Sequence, residues 1–247
     1  FQMNRVKVVI ILILLLVILI NSRRLLPQKH CSKFSIKEEP FNSTLMSKQD
    51  HQALISIMAR LDQLCKRENL TYFISCGSLM GAMRYQNRMP WDDDIDIGIF
   101  DTNKFKNLPF SEFGLTIRET FFGYKVYDSI HSRKVKFELN FPFVDVFVHD
   151  LSGDKYVYQS SQARKMWPRE EMPIDYLFPL TKCSFAGLSL PCPAKTREFL
   201  NQAYPGWDSN AYINPTHSGS FFLRTYVLPI NQATTLQVLA YLETLRH

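Results

Sequence analysis

Thirteen consecutive Val, Ile and Leu residues at 8–20 dominate the hydropathy pattern of this chain. As a helix rising about 1.5 Å per residue they cover only roughly 20 Å of a hydrocarbon core near 30 Å. Arg5 and Lys7 on one side, and Asn21, Ser22 and Arg23 on the other, can reach headgroups and lengthen the segment. Residues 3–22 are therefore expected to form a short transmembrane helix. No small-residue cleavage site follows Ile20, which favours an uncleaved anchor over a signal peptide or a buried helix. Residues 25–46 mix Lys, Glu, Pro, Ser and Asn without periodicity, as a stem would.

The periodicity changes after Ser47. Leu54, Ile57, Met58, Leu61, Leu64 and Cys65 recur at helical spacing, predicting an amphipathic helix that Ser47 caps and that runs to about Glu68. Apolar runs predict strands at 71–75, 95–100, 113–119, 124–128, 135–140 and 143–148. A short helix is expected at 79–84 after a Gly77-Ser78 turn, then a hairpin near 182–190 and helices near 194–204 and 233–245. Helices and strands in mixed order, with several strands adjacent, predict an α+β domain with flanking helices around a mixed sheet. The expected division is anchor (1–24), stem (25–46) and domain (47–247).

Composition adds little until the charge is located. The chain has 247 residues, 46% apolar, with a formal charge of +6. Arg5, Lys7, Arg23, Arg24 and Lys29 all fall within residues 1–30, where there is no acid, leaving 24 basic against 23 acidic groups in the rest. A body so nearly neutral lacks the basic surface that nucleic-acid binding requires. Charge does not orient the span, since both flanks are basic. Asn42-Ser43-Thr44 and Asn69-Leu70-Thr71 are glycosylation acceptor patterns and tilt the reading toward a lumenal body. Five cysteines without a CxxC pair argue against structural zinc. Cys183 and Cys192 bracket the predicted hairpin, where a disulfide competes with two separate buried thiols.

The densest candidate chemistry is Pro90-Trp91-Asp92-Asp93-Asp94-Ile95-Asp96-Ile97-Gly98. Four aspartates in five positions repel one another, yet they lead straight into an apolar strand. On an extended chain Asp92, Asp94 and Asp96 share one face while Asp93, Ile95 and Ile97 share the other, so three carboxylates converge as a hard divalent cation requires. A calcium loop of EF-hand type fails, because its sixth and twelfth positions would be Ile97 and Asn103. Asp145, inside Phe143-Val144-Asp145-Val146-Phe147, is read as a third metal-facing carboxylate or as half of a buried salt bridge. Upstream, Gly77-Ser78 before a helix offers backbone N–H groups to phosphate, with Arg84 as a further clamp.

The segment from Gly77-Ser78-Leu79-Met80-Gly81-Ala82-Met83-Arg84 through Pro90-Trp91-Asp92-Asp93-Asp94-Ile95-Asp96-Ile97 resembles the signature of the LicD family. That family comprises bacterial phosphocholine transferases together with animal fukutin and fukutin-related protein. Leu177-Phe178-Pro179-Leu180, Leu190-Pro191 and Tyr204-Pro205-Gly206-Trp207 are also similar to its later pattern, so the likeness covers residues 50–207. The resemblance implies a nucleotidyltransferase-like fold. It further implies transfer of a phospho-alcohol, phosphocholine or an alditol phosphate, from a CDP-activated donor to a hydroxyl of a glycan or glycoprotein acceptor, with release of CMP. Mg²⁺ or Mn²⁺ would be held by Asp94, Asp96 and Asp145 with Asp92 assisting. Gly77 and Ser78 would position phosphates, Arg84 would stabilise the leaving CMP, and Asp145 is the first choice for accepting a proton. Membrane-anchored animal relatives face the Golgi lumen, so a single-pass type II protein of the Golgi or ER membrane is expected. Two rivals stay open: a DxD glycosyltransferase using a nucleotide sugar, and an inactive membrane-anchored glycan-binding relative.

Overall fold

The computed structural model describes residues 29–30, 34–37, 41–42, 45–134, 140–213 and 226–246. After a two-residue strand β1 (Lys29–His30), helix α1 (Lys48–Arg67) begins with the Ser47 hydroxyl accepting from Asp50 N at 3.0 Å. That cap stabilises by about 1 kcal/mol. The buried stripe Leu54, Ile57, Met58, Leu61, Leu64 and Cys65 contributes on the order of 10 kcal/mol, so packing holds α1 in place and the cap fixes where it starts.

Strand β2 (Tyr72–Ile74) leads into helix α2 (Cys76–Tyr85), and β3 (Ile95–Ile99) into the short helix α3 (Thr102–Lys106). Then come β4 (Leu115–Glu119), β5 (Gly123–Asp128), β6 (Arg133–Lys134), β7 (Asn140–Phe141) and the ten-residue β8 (Phe143–Ser152). The chain continues through β9 (Lys155–Tyr158), α4 (Ser161–Met166), β10 (Met172–Pro173) and α5 (Ile174–Leu177). The hairpin β11 (Thr181–Phe185) and β12 (Leu188–Cys192) precedes α6 (Thr196–Ala203), β13 (Asn210–Ile213), β14 (Tyr226–Pro229) and α7 (Gln232–Thr244).

Strand β8 organises the main sheet. Its first half pairs parallel with β3, from Ile95↔Val144 to Ile99↔Val148, and antiparallel with β5, from Gly123↔Phe147 to Tyr127↔Phe143. Its second half pairs with β9, which continues along the edge that β5 leaves. Being buried throughout, the first part of β8, residues 143–148, reads as an apolar run broken by Asp145. A second, smaller core joins β13 and α7 to Tyr85, Met89 and Trp91 through Ala211, Ile213, Leu228, Val238 and Leu242.

Helices flanking a mixed sheet of parallel and antiparallel strands give the α+β architecture expected. The expectation of a transmembrane helix ahead of it, and with it the single-pass type II Golgi or ER placement, is corrected: among the described residues no helix is long and apolar enough to cross a membrane. The stretch assigned to that span, residues 3–22, lies outside the described residues, as do Cys31 and most of the strand expected at 135–140.

Candidate active site

Five aspartates meet at the N-terminal end of β3. Asp96 on β3 lies directly opposite Asp145 on β8, and Asp94 precedes the strand by one residue. One oxygen from each of Asp94, Asp96 and Asp145 falls within 4.8 Å of the others, and all three residues are buried. Asp92 and Asp93 line the same cavity, of about 910 Å³. Asp92, Asp94 and Asp96 all line the cavity, and Asp93 alone departs from the expected alternation. The segment ahead of it is a turn closed by Asp92 N donating to Met89 O at 3.0 Å, and Asp93, which follows, borders the cavity as well.

The turn is set from beneath by Arg88, which is wholly buried. Its Nη1 donates to the carbonyls of Met89 and Pro90 at 3.0 Å each and of Asp92 at 2.5 Å, while Nε donates to His51 Nδ1 at 2.9 Å. His51 can accept only as a neutral ring, and burial together with the Arg88 charge lowers it to about 4.

Helix α2 begins three residues earlier than its apolar pattern predicts, so Gly77 and Ser78 lie in its first turn. Their roles divide. A Cβ on Gly77 would stand 2.6 Å from Asp92 Oδ2 and 3.4 Å from Asp96 Oδ2, so the glycine admits both carboxylates against the helix. Ser78 is fully buried and absent from the cavity wall; its Oγ accepts from Asp96 N at 2.8 Å, tying α2 to β3. Arg84 lines the cavity, yet its Nη2 already donates to the carbonyls of Trp207 and, at 2.7 Å, Asn210.

Burial first, then repulsion among neighbouring carboxylates, pushes Asp92 and Asp96 well above the usual range. Hard oxygen donors this close together and this poorly solvated suit Mg²⁺ or Mn²⁺, which offsets the repulsion that the fold has gathered. The donor set therefore fits a divalent cation.

Two groups escaped the sequence reading. Lys125 on β5 sits opposite Asp145, with Nζ at 2.6 Å from Asp145 Oδ1. A charge inside the apolar run Tyr124-Lys125-Val126-Tyr127 was the available signal, the same kind that singled out Asp145. Glu170 is buried beside the site and accepts from Tyr158 OH, from Tyr204 OH at 2.6 Å and from Cys76 Sγ at 3.4 Å. It sits in a polar stretch with no periodicity to mark it. The far wall of the cavity is aromatic: Phe121 stacks parallel to Trp167 at 6.1 Å, and Phe122 on Phe147 at 4.7 Å.

Away from the cavity, Cys183 and Cys192 form a disulfide, and Asn42 and Asn69 are both exposed. His131 is exposed and lies outside the cavity. His149 is buried, and burial lowers it to about 4.

Comparison with known proteins gives the same picture from another direction. Residues 69–195 match the family described as LicD/FKTN/FKRP, nucleotidyltransferase domain. An uncharacterized protein of Rickettsia prowazekii is 27% identical over 188 residues, 74% of this chain and 66% of its own length. A second, from Rickettsia typhi, is 29% identical over 70% of this chain and 52% of its own, so the chain spans about half to two thirds of these relatives. Human ribitol 5-phosphate transferase FKRP is 30% identical over 58% of this chain and 30% of its own length. The lipopolysaccharide cholinephosphotransferase LicD of Haemophilus influenzae is 34% identical over 53 residues, 22% of this chain and 20% of its own length. The family match covers more than half of the chain and contains Gly77, Ser78, every aspartate of the cluster and Lys125, so this chain belongs to the LicD/FKTN/FKRP nucleotidyltransferase-domain family.

Proposed function

We propose that this chain transfers a phospho-alcohol, phosphocholine or an alditol phosphate, from a CDP-activated donor to a hydroxyl of a glycan or glycoprotein acceptor, releasing CMP. The observation that carries the reading is the triad Asp94, Asp96 and Asp145, held in register by β3 and β8 at a cavity of about 910 Å³, large enough for a nucleotide diphosphate. The activity is assigned to a domain over residues 47–247. Relatives whose names state an activity are transferases of ribitol 5-phosphate and of cholinephosphate, which supports phospho-alcohol transfer as the reaction class.

Asp94, Asp96 and Asp145 would hold Mg²⁺ or Mn²⁺, with Asp92 assisting; the ion would supply charge neutralisation on the diphosphate. Gly77 keeps the helix wall flat enough for Asp92 and Asp96 to reach the cavity. Arg84 stands where its guanidinium borders the leaving nucleotide. The proton of the acceptor hydroxyl passes to a carboxylate, and Asp92 suits this better than Asp145. Asp92 stands outside the triad of Asp94, Asp96 and Asp145, whereas an Asp145 oxygen already accepts from Lys125.

The test is CMP release from a panel of CDP-choline, CDP-ribitol, UDP-sugars and GDP-sugars with a mixed glycan acceptor and Mn²⁺. Asp94→Asn and Asp96→Asn should each lower CMP release by about a thousandfold while the thermal unfolding transition stays cooperative. Undiminished release in either variant would remove the carboxylates from the chemistry. Turnover of UDP- or GDP-sugars alone would replace the CDP donor with a sugar nucleotide.

A further inference from the structure

Three charged side chains stand in a row across three neighbouring strands: Asp96 on β3, Asp145 on β8 and Lys125 on β5. The row faces the cavity, which all three line. Lys125 is 9% exposed, and its Nζ lies 2.6 Å from Asp145 Oδ1 and 3.4 Å from the centre of the Phe143 ring. The amine is thus clamped between a carboxylate and the negative face of an aromatic ring.

A lysine in this place is at odds with a divalent cation on the same carboxylate. An ammonium and a metal ion sharing Asp145 repel, and neither position is well screened by water. A pair kept only for packing could be replaced by two apolar side chains at little cost. An amine on a flexible four-carbon stem is, however, a compact point charge that binds phosphate and can change partners without moving the backbone. Arg84, a half-buried cation on the cavity wall, is committed to the Trp207 and Asn210 carbonyls.

We propose that Lys125 is an exchangeable cation of the active site: it competes with the divalent ion for Asp145 and, when displaced, binds the diphosphate of the donor. The proposal rests on the metal-and-diphosphate reading given above. It makes Lys125 a substrate-contacting residue and not only a partner of Asp145.

The sign of one measurement separates the two roles. Mn²⁺ binding is titrated calorimetrically without donor for the wild-type protein, Lys125→Met and Lys125→Arg, and CMP release is then measured at saturating Mn²⁺. Lys125→Met should bind Mn²⁺ roughly three- to tenfold more tightly, because the competing charge is gone. Its CMP release should nevertheless fall by about tenfold or more, with a raised donor KM. Lys125→Arg keeps the ion pair and should show wild-type Mn²⁺ affinity with reduced turnover, giving a folded control if Lys125→Met is unstable. Weaker or unchanged Mn²⁺ binding by Lys125→Met, with normal binding by the wild type, would overturn the exchange while leaving the metal reading intact. Unchanged turnover and KM in both variants would overturn the phosphate contact. A wild-type protein that binds no Mn²⁺ would remove the metal reading and this proposal together.

Discussion

His51 and His149 are buried as neutral rings, each lowered to about 4 by burial, with the Arg88 charge adding to the effect at His51. The unfolded chain takes up a proton on each below about pH 6.5, and the folded chain refuses it until about pH 4. Stability contributed by neutral burial is therefore complete above pH 6.5 and drains away as pH falls toward 4, by about 2 kcal/mol per histidine at pH 5. Asp92 and Asp96 act in the opposite sense, since their raised values let the folded state gain protons first. Comparing urea midpoints at pH 7 and pH 5 for the wild type and His149→Gln isolates the histidine. The variant should lose about 2 kcal/mol less on acidification, and equal losses would show that His149 is protonated in the folded protein. Gly77 is a residue-scale constraint of another kind: what it supplies is an absent side chain, where the Asp92 carboxylate approaches a helix.

At the scale of elements, the hairpin β11–β12 is the piece whose covalent tie matters most. Phe185, Leu190 and Cys192 are buried in the main core, and Ala186 N donates to Gln86 O at 2.8 Å just past the end of α2, so the hairpin backs the helix that lines the site. Breaking the Cys183–Cys192 disulfide with a double serine variant should cost about 2–3 kcal/mol, from the chain entropy of a short closed loop, measured as a drop in urea midpoint. Helix α1 and the hairpin were legible because periodicity, a capping serine and a Gly-containing turn all pointed one way. The start of α2 was not, because Cys76 enters it at φ +48 and no sequence pattern announces a left-handed residue there. Strands β13 and β14 stayed hidden for a different reason: four residues apiece, their apolar positions face a small separate core and show no period long enough to read. In the site, the aspartates declared themselves by crowding. Arg88 and Glu170 did not: Arg88 acts on main-chain carbonyls, which side-chain patterns do not mark, and Glu170 on hydroxyls and a thiol distant in sequence.

For the molecule as a whole, three apolar clusters among the described residues divide the labour of building one cavity. The largest carries β3 and β8 with Asp96 and Asp145, the second carries Met89 and Trp91 at the cavity edge, packed with Tyr85, α7 and β13, and a third carries Phe122 and Phe147 on the aromatic wall. Leu242 on α7 is buried in that second core and lies outside the cavity wall. Leu242→Ala should cost about 2–4 kcal/mol in stability and, through Trp91 and the turn behind it, also weaken Mn²⁺ binding. Full Mn²⁺ affinity in a destabilised variant would mean that the turn is shaped by Arg88 alone. The Arg88 contacts bear on that turn in one further respect. They end on main-chain oxygens of residues 89, 90 and 92, while Met89 and Trp91, buried in the second core, border the cavity. A loop whose path is held by its carbonyls can change its vocabulary within limits of size: apolar replacements of similar volume at positions 89 and 91 would rewrite the cavity edge for a different donor while still filling the second core.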